Sequence, residues 1–203
     1  MIAIDIRRRS LALAAALGVA GIALSVCASA IVGGIATTGV VAAQERSVGA
    51  AIDDVVIRVD LNRRLFEAGE ELYVGVGLDI VEGRVLLTGI VPTVDHRVDA
   101  AKLAWLAPGV KEVLNELEVA AKADIVTFVR DKRIGGQLRI ELLRDLGIID
   151  INYSITTVNG VIYLLGIAQN QAELDKVVGH ASNIGGVKKV VSHVLLKDDP
   201  KRR

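Results

Sequence analysis

The chain has 203 residues, 24 Lys plus Arg against 24 Asp plus Glu, and only 3% aromatic residues. Zero net charge excludes the basic excess that nucleic-acid binding requires, and so few aromatics leave little for base stacking or a cofactor box. The length holds one ordinary domain or two small ones.

The first 44 residues read as an export signal and a spacer. Arg7, Arg8 and Arg9 precede the apolar run LALAAALGVAGIAL, and no charged residue stands between Ser10 and Gln44. A basic segment, an apolar helix and then small residues are the three parts of a secretory signal. Leu11 to Val32 also has the ~20 residues that span a bilayer, so a retained membrane helix is the rival reading. Ala, Gly and Ser dominate from residue 27 onward, unlike a Leu-rich anchor, and favour the signal. LSVC, residues 24–27, resembles a lipobox in which Cys27 becomes the acylated N-terminus, although Val26 stands where such signals carry Gly or Ala. Cleavage after Ala28-Ser29-Ala30, or after Ala43, is the alternative. Cys27 is the only cysteine, which excludes a disulfide within the chain. Loss of residues 1–26 would remove three Arg and one Asp and leave a net charge of −2.

From residue 57 onward the chain repeats itself at an offset of 77. GRVLLTGIV, residues 83–91, returns as GVIYLLGIA, residues 160–168. Ile57 falls on Ile134, Leu61 on Leu138, Leu65 on Leu142, Gly89 on Gly166, and Gly109-Val110-Lys111 on Gly186-Val187-Lys188. An ungapped register that holds to Val119 and Leu196 marks a tandem duplication of one small domain.

In the first copy, Ile57, Leu61 and Leu65 at i, i+4 and i+8 predict an amphipathic helix. Val74, Val76, Leu78 and Ile80 alternate and predict a half-buried strand. Glu82-Gly83 marks a hairpin turn, after which Val85 and Leu87 face the core from a second strand. A helix is expected from about Thr93 to Ala107, with Ala101 and Ala104 as small core positions and Pro108-Gly109 at its end. VKEVLNELEV, residues 110–119, is the last strand. Trp105, the only tryptophan, is expected to pack against the second copy.

The second copy opens on a helix from roughly Asp124 to Leu146, with Ile134, Leu138, Leu142 and Leu146 as its core stripe. Asn159-Gly160 is the stronger hairpin signal, because a type I′ turn needs positive φ at both positions. Ile162 and Leu164 then face the core, a helix follows from about Asn170 to Asn183, and VKKVVSHVLL, residues 187–196, closes the copy. The expected class is α+β: a tandem duplication of a small αββαβ two-layer sandwich, each copy a three-stranded mixed sheet with two helices and a right-handed crossover. The expected division is 1–26 export signal, 27–46 linker of apolar and small residues, 47–120 first domain, 121–198 second domain and 199–203 basic tail. The short linker Ala120-Ala121-Lys122-Ala123 keeps the two domains in contact.

This order, with glycine-framed strands at 83–89 and 160–166 and G-V-x-x-V at 109–113 and 186–190, resembles the BON domain family. Two such domains behind a signal and a lipobox-like cysteine resemble the dual-BON periplasmic lipoproteins, and Arg46-Ser47-Val48-Gly49 with Asp53-Asp54 is similar to that subgroup. The resemblance implies a non-catalytic cell-envelope protein that binds anionic phospholipid through its second BON domain and supports outer-membrane integrity or stress response. It also implies export to the periplasm and anchoring to the outer membrane through a lipidated Cys27.

Catalytic patterns are thin. His96, His180 and His193 are scattered, Gly75-Val76-Gly77 lacks the third Gly of a dinucleotide fingerprint, and no Gly-x-Ser-x-Gly elbow exists. The repeated glycine strand is not a phosphate loop, since no helix with Lys-Ser or Lys-Thr follows it. No cofactor, metal, nucleic acid or small-molecule substrate is expected. The candidate site is instead a helix face. At ~100° per residue, Arg130, Arg133, Gln137, Ile140 and Arg144 fall within about 80°, away from the core stripe. Three guanidiniums around an exposed Ile suit anionic headgroups with a shallow apolar wedge. Glu141 and Asp145 are close enough to offset part of that charge, and Gly135-Gly136 weakens the helix by ~1 kcal/mol per Gly. In the dual-BON subgroup an aromatic residue is expected near the start of this helix; here Phe128 lies earlier and Arg133 occupies the vicinity. A merely solvated face is the plain alternative. The alternative function is an envelope protein-protein interaction module or chaperone-like adaptor that accepts a partner strand at an exposed sheet edge.

Overall fold

The computed structural model describes residues 45–120 and 125–202. The segment expected to be an export signal, Cys27 and most of the expected linker therefore lie outside the described residues. Helix α1 (Val48–Ala68) opens on Ser47, whose hydroxyl accepts the Ala50 N–H and relieves one of the unpaired donors of a helix start. Its stripe of Ile57, Leu61 and Leu65 is buried. Gly69, at φ 138°, ends it, and a short helix α2 (Glu70–Gly75) follows. Val74 was expected in a strand but is exposed in α2. Glu70 and Glu71 in the first turn favour that helix through its dipole, and β1 (Val76–Val81) begins two residues after Val74. Strand β2 (Arg84–Val91) pairs antiparallel with β1, with Leu78 opposite Leu87. Helix α3 (Val94–Trp105) is capped by Thr93, and β3 (Glu112–Asn115) returns parallel to β2. Two residues later β4 (Glu118–Val119) resumes the pairing, and the interruption sends Leu117 into the core. Ala100 and Ala104 are the fully buried small positions of α3, with Ala101 packed half-buried beside them.

The second repeat contains α4 (Ile125–Arg144), a 3-10 turn (Asp150–Asn152), β5 (Tyr153–Val158), β6 (Val161–Ala168), α5 (Gln171–Asn183) and β7 (Lys189–Leu196). The β5–β6 pair is antiparallel, and β7 runs parallel to β6 over eight unbroken residues. Leu146 is not a core residue. The helix stops at Arg144, the Asp145 carboxylate accepts the Gly147 N–H in a tight turn, and Ile148 fills the core while Leu146 stands fully in solvent.

Both hairpins turn through two residues of positive φ, Glu82-Gly83 at 55° and 78° and Asn159-Gly160 at 51° and 81°. A buried carboxylate from the first helix holds each turn. Asp54 accepts the Glu82 and Gly83 N–H groups at 2.9 and 2.8 Å, and Asp131 accepts those of Asn159 and Gly160 at 2.7 and 2.9 Å. The other repeated glycine answers a steric demand: a Cβ on Gly89 would lie 2.2 Å from the Gly75 carbonyl oxygen, and one on Gly166 2.1 Å from that of Asn152. Glycine recurs at both ends of this strand in each repeat because each of those positions tolerates little else.

Val85 and Leu87 point to the helices of the first repeat, and Ile162 and Leu164 to those of the second. Leu86, Tyr163 and Leu165 point the other way and form a third buried cluster with Leu114 and Val191. The two sheets therefore pack face to face, and the layers run helices, sheet, sheet, helices. Polar contacts stitch this interface. Asp79 accepts from the hydroxyls of Ser154 and Thr156, Arg84 donates to the His193 carbonyl at 2.8 Å, and His193 meets Glu116 at 2.9 Å. Trp105 takes no part in this buried cluster. It is 56% exposed at the end of α3, because the inter-repeat surface is made by sheet faces and not by that helix.

Candidate functional site: the outer face of the first helix of repeat 2

The buried side of α4 carries Asp131, Ile134, Leu138 and Leu142, spaced 3, 4 and 4 apart. That stripe fixes the rotation of the helix, so the residues on the opposite side must face solvent. Arg130, Arg133, Gln137, Ile140 and Arg144 are all exposed, on one side of the helix. Ile140 is 48% exposed, too open for a core residue and well placed for an apolar contact.

The structure adds to this face what the charge pattern alone missed. Ile125, Val129 and Leu143 are also exposed. With Ile140 and the bare Gly136 they lie within about 60° of one another at ~100° per residue, forming an apolar ridge along the helix. Arg130, Arg133 and Arg144 flank one side of that ridge. On the other flank Phe128 is exposed, with the Lys132 ammonium 5.2 Å from its ring centroid. An apolar ridge between two cationic flanks is the distribution of a helix that lies in a membrane interface. Such residues are visible in the sequence as apolar letters, but only the burial of the opposite stripe shows that none of the described residues covers them.

Glu141 is the carboxylate nearest the cationic flank, 3.8 Å from Arg144, and both side chains are open to solvent. Asp145, expected to offset the same charge, is turned to other partners: His180 at 3.1 Å and Lys176 at 3.4 Å. Its pKa is lowered, first by the His180 hydrogen bond and then by the Gly147 N–H. Gly135 packs 3.4 Å, measured from a hypothetical Cβ, against Thr157 Oγ1, whereas Gly136 meets nothing and leaves the ridge flat.

The three histidines are engaged separately, His96 with Thr93, His180 with Asp145 and His193 with Glu116. Among the described residues no three His, Cys, Asp or Glu side chains gather as a metal site. No helix among them is long and apolar enough to cross a membrane.

Two α-β-β-α-β units with a glycine-framed central strand make a tandem-duplicated α+β module, and the BON domain model matches this chain twice, over residues 53–121 and 130–198. The chain belongs to the BON domain family. It is 43% identical over 155 residues to the "Uncharacterized protein in gshII 5'region" of Anaplasma centrale, covering 75% of this chain and 100% of that one. It is 34% identical over 174 residues to the outer membrane lipoprotein DolP of Haemophilus influenzae, covering 85% of this chain and 89% of that protein. Over 152 residues it is 24% identical to the osmotically-inducible protein Y of Escherichia coli, covering 74% and 76% of the two chains. None of these three names is that of an enzyme.

Proposed function

We propose that the protein is a non-catalytic component of the cell envelope that binds anionic phospholipid surfaces through the outer face of α4. The observation that carries this reading is the exposed ridge of Ile125, Val129, Ile140 and Leu143 beside Arg130, Arg133 and Arg144. Guanidiniums pair with lipid phosphates while the ridge buries shallowly among the acyl chains. Each Arg near an anionic surface contributes ~1 kcal/mol, so the face alone gives weak, salt-sensitive attachment. Lipidation at Cys27 would supply the second signal that durable attachment needs. The naming of a relative as an outer membrane lipoprotein supports export and outer-membrane anchoring through that cysteine. The osmotic induction in the name of another supports a role in envelope stress.

The competing reading is strand addition at a sheet edge, and on two of the edges a guanidinium occupies one carbonyl of the edge strand. Arg58 donates to the Leu78 carbonyl of β1 at 2.6 Å, and Arg139 to the Tyr153 carbonyl of β5 at 3.1 Å.

Flotation of residues 45–203 with zwitterionic and anionic vesicles at two salt concentrations tests the proposal. The expected result is flotation with anionic vesicles only, lost at high salt and in an Arg130→Ala, Arg133→Ala, Arg144→Ala variant. Flotation that ignores all three substitutions would move the site elsewhere.

A further inference from the structure

We propose that the cleft between the two repeats is a second, separate anion site, built for a phosphate group carried on a short carbon skeleton. The cleft has a volume of about 250 Å³ and is lined by three guanidiniums from three segments: Arg46 ahead of α1, Arg58 on α1 and Arg139 on α4. Asp54 is the one carboxylate in the lining. Its oxygens are already taken by the Glu82 and Gly83 N–H groups and by Arg46 at 3.0 Å.

The other two cations make their hydrogen bonds to carbonyl oxygens. Arg58 Nη1 donates to the Leu78 carbonyl at 2.6 Å, and Arg139 Nη1 to the carbonyls of Asp150 and Tyr153, both at 3.1 Å. The nearest carboxylate oxygen to Arg139, on Asp150, is 3.9 Å away. Asp79, on β1 beside the cleft, has its two oxygens occupied by the Ser154 and Thr156 hydroxyls. Each of the two guanidiniums commits one nitrogen and leaves the rest of its fork without a hydrogen bond among the described residues. Such forks match phosphate oxygens bidentately.

Asn152 also lines the cleft, its Oδ1 accepting the Glu45 N–H at 3.0 Å. Val55, Ile80 and Ile151 add apolar wall for a carbon skeleton. The volume falls below the ~300 Å³ at which pockets for drug-sized ligands begin, so the occupant is of headgroup size, without its acyl chains. That chemistry arises either from a phospholipid headgroup or from a soluble phosphate ester. The site does not rest on the α4 face, whose arginines point elsewhere on the helix.

The test titrates the full chain with sn-glycerol 3-phosphate, and separately with inorganic phosphate, by calorimetry at constant ionic strength. Saturable 1:1 binding of sn-glycerol 3-phosphate is expected, weakened by at least about tenfold in Arg58→Gln and in Arg139→Gln. It should be unchanged in the Arg133→Gln, Arg144→Gln double variant. Arg58 is exposed and holds a single carbonyl, so Arg58→Gln keeps the fold and the result interpretable. No saturable binding at about 10 mM, or equal affinity in the parent and Arg58→Gln, overturns the proposal. Flotation with anionic vesicles separates the two sources. A fall in Arg58→Gln identifies a lipid headgroup, and unchanged flotation with lost sn-glycerol 3-phosphate binding identifies a soluble ester. Loss of flotation only in the α4 variants, with the titration intact, belongs to the surface proposed above and leaves the cleft standing.

Discussion

Helices α1 and α4 occupy the same place in the two repeats, yet they carry different charges at equivalent positions on the solvent side. Asp53, Asp60 and Glu67 of α1 stand at the positions that Arg130, Gln137 and Arg144 hold in α4. Both helices keep an exposed apolar ridge: Val48, Ile52, Val59 and Phe66 in α1 against Ile125, Val129, Ile140 and Leu143 in α4. On α1 the acids are tied within the helix, Asp60 to Arg63 at 2.7 Å and to Arg64 at 2.5 Å, and Glu67 to Arg63 at 2.8 Å. Phe66 is engaged edge-on by Tyr73, with ring centroids 5.4 Å apart. Duplication preserved the buried stripe because the core demands it. The solvent side was free to diverge, and α4 carries Arg130 and Arg144 where α1 carries Asp53 and Glu67.

The largest effect should come from the element the two repeats share. Asp131→Ala leaves two turn N–H groups unpaired and should cost about 3 kcal/mol. Asp54→Ala does the same and also removes the Arg46–Asp54 ion pair, which should add up to about 1 kcal/mol. Urea unfolding of the two variants measures the difference, and equal midpoints would erase that asymmetry. Replacing Arg130, Arg133 and Arg144 of α4 with Ala should lower affinity for anionic vesicles about a hundredfold, from ~1 kcal/mol per Arg. Sedimentation against vesicles of graded anionic content reads this out.

The reciprocal graft sharpens the comparison. Asp53→Arg, Asp60→Gln and Glu67→Arg give α1 the flank of α4 and should raise anionic-vesicle affinity about tenfold, at a stability cost of a few tenths of a kcal/mol per lost i,i+4 pair. No gain would show that charge on this ridge is insufficient. The smallest effect concerns Leu86 and Tyr163, equivalent residues that meet in the cluster between the sheets. Burial, and then Glu118 and Glu116, push the Tyr163 hydroxyl up to about 12. An unfolded tyrosine titrates near ~10, so the unfolded chain releases this proton first and stability falls as pH rises from about 10 to about 12. Tyr163→Phe should make that alkaline decline shallower in thermal melts, the remainder coming from Tyr153, whose hydroxyl is also raised by burial, whereas Leu86→Ile should leave it in place.

Much of the fold was legible because its signals are local. Asn159-Gly160 demands a turn with positive φ, and the Ile57, Leu61, Leu65 spacing demands a helix face, whatever surrounds them. The misreadings fall where tertiary context overrides a local pattern. Val74 alternates correctly for a strand but sits in a helical turn, and Leu146 continues the i+4 stripe of Ile134, Leu138 and Leu142, which the Asp145–Gly147 turn breaks. Trp105 is large and apolar, which suggested burial, but its helix lies on the outer layer. The arginines of α4 were legible as a stripe; the flanking ridge was not, since Ile125 or Leu143 could as well have been core.

The sequence by itself determined the duplication, the turns, the core stripe of each helix and the sign of charge on its outer side, because each depends on spacing along one segment. Only the tertiary structure decided which apolar faces meet. Leu86, Tyr163 and Leu165 close the sheets upon each other, and that closure gathers Arg46, Arg58 and Arg139 around one cleft. Alternation marks a face as apolar, but the partner that covers it is chosen by packing between segments 77 residues apart.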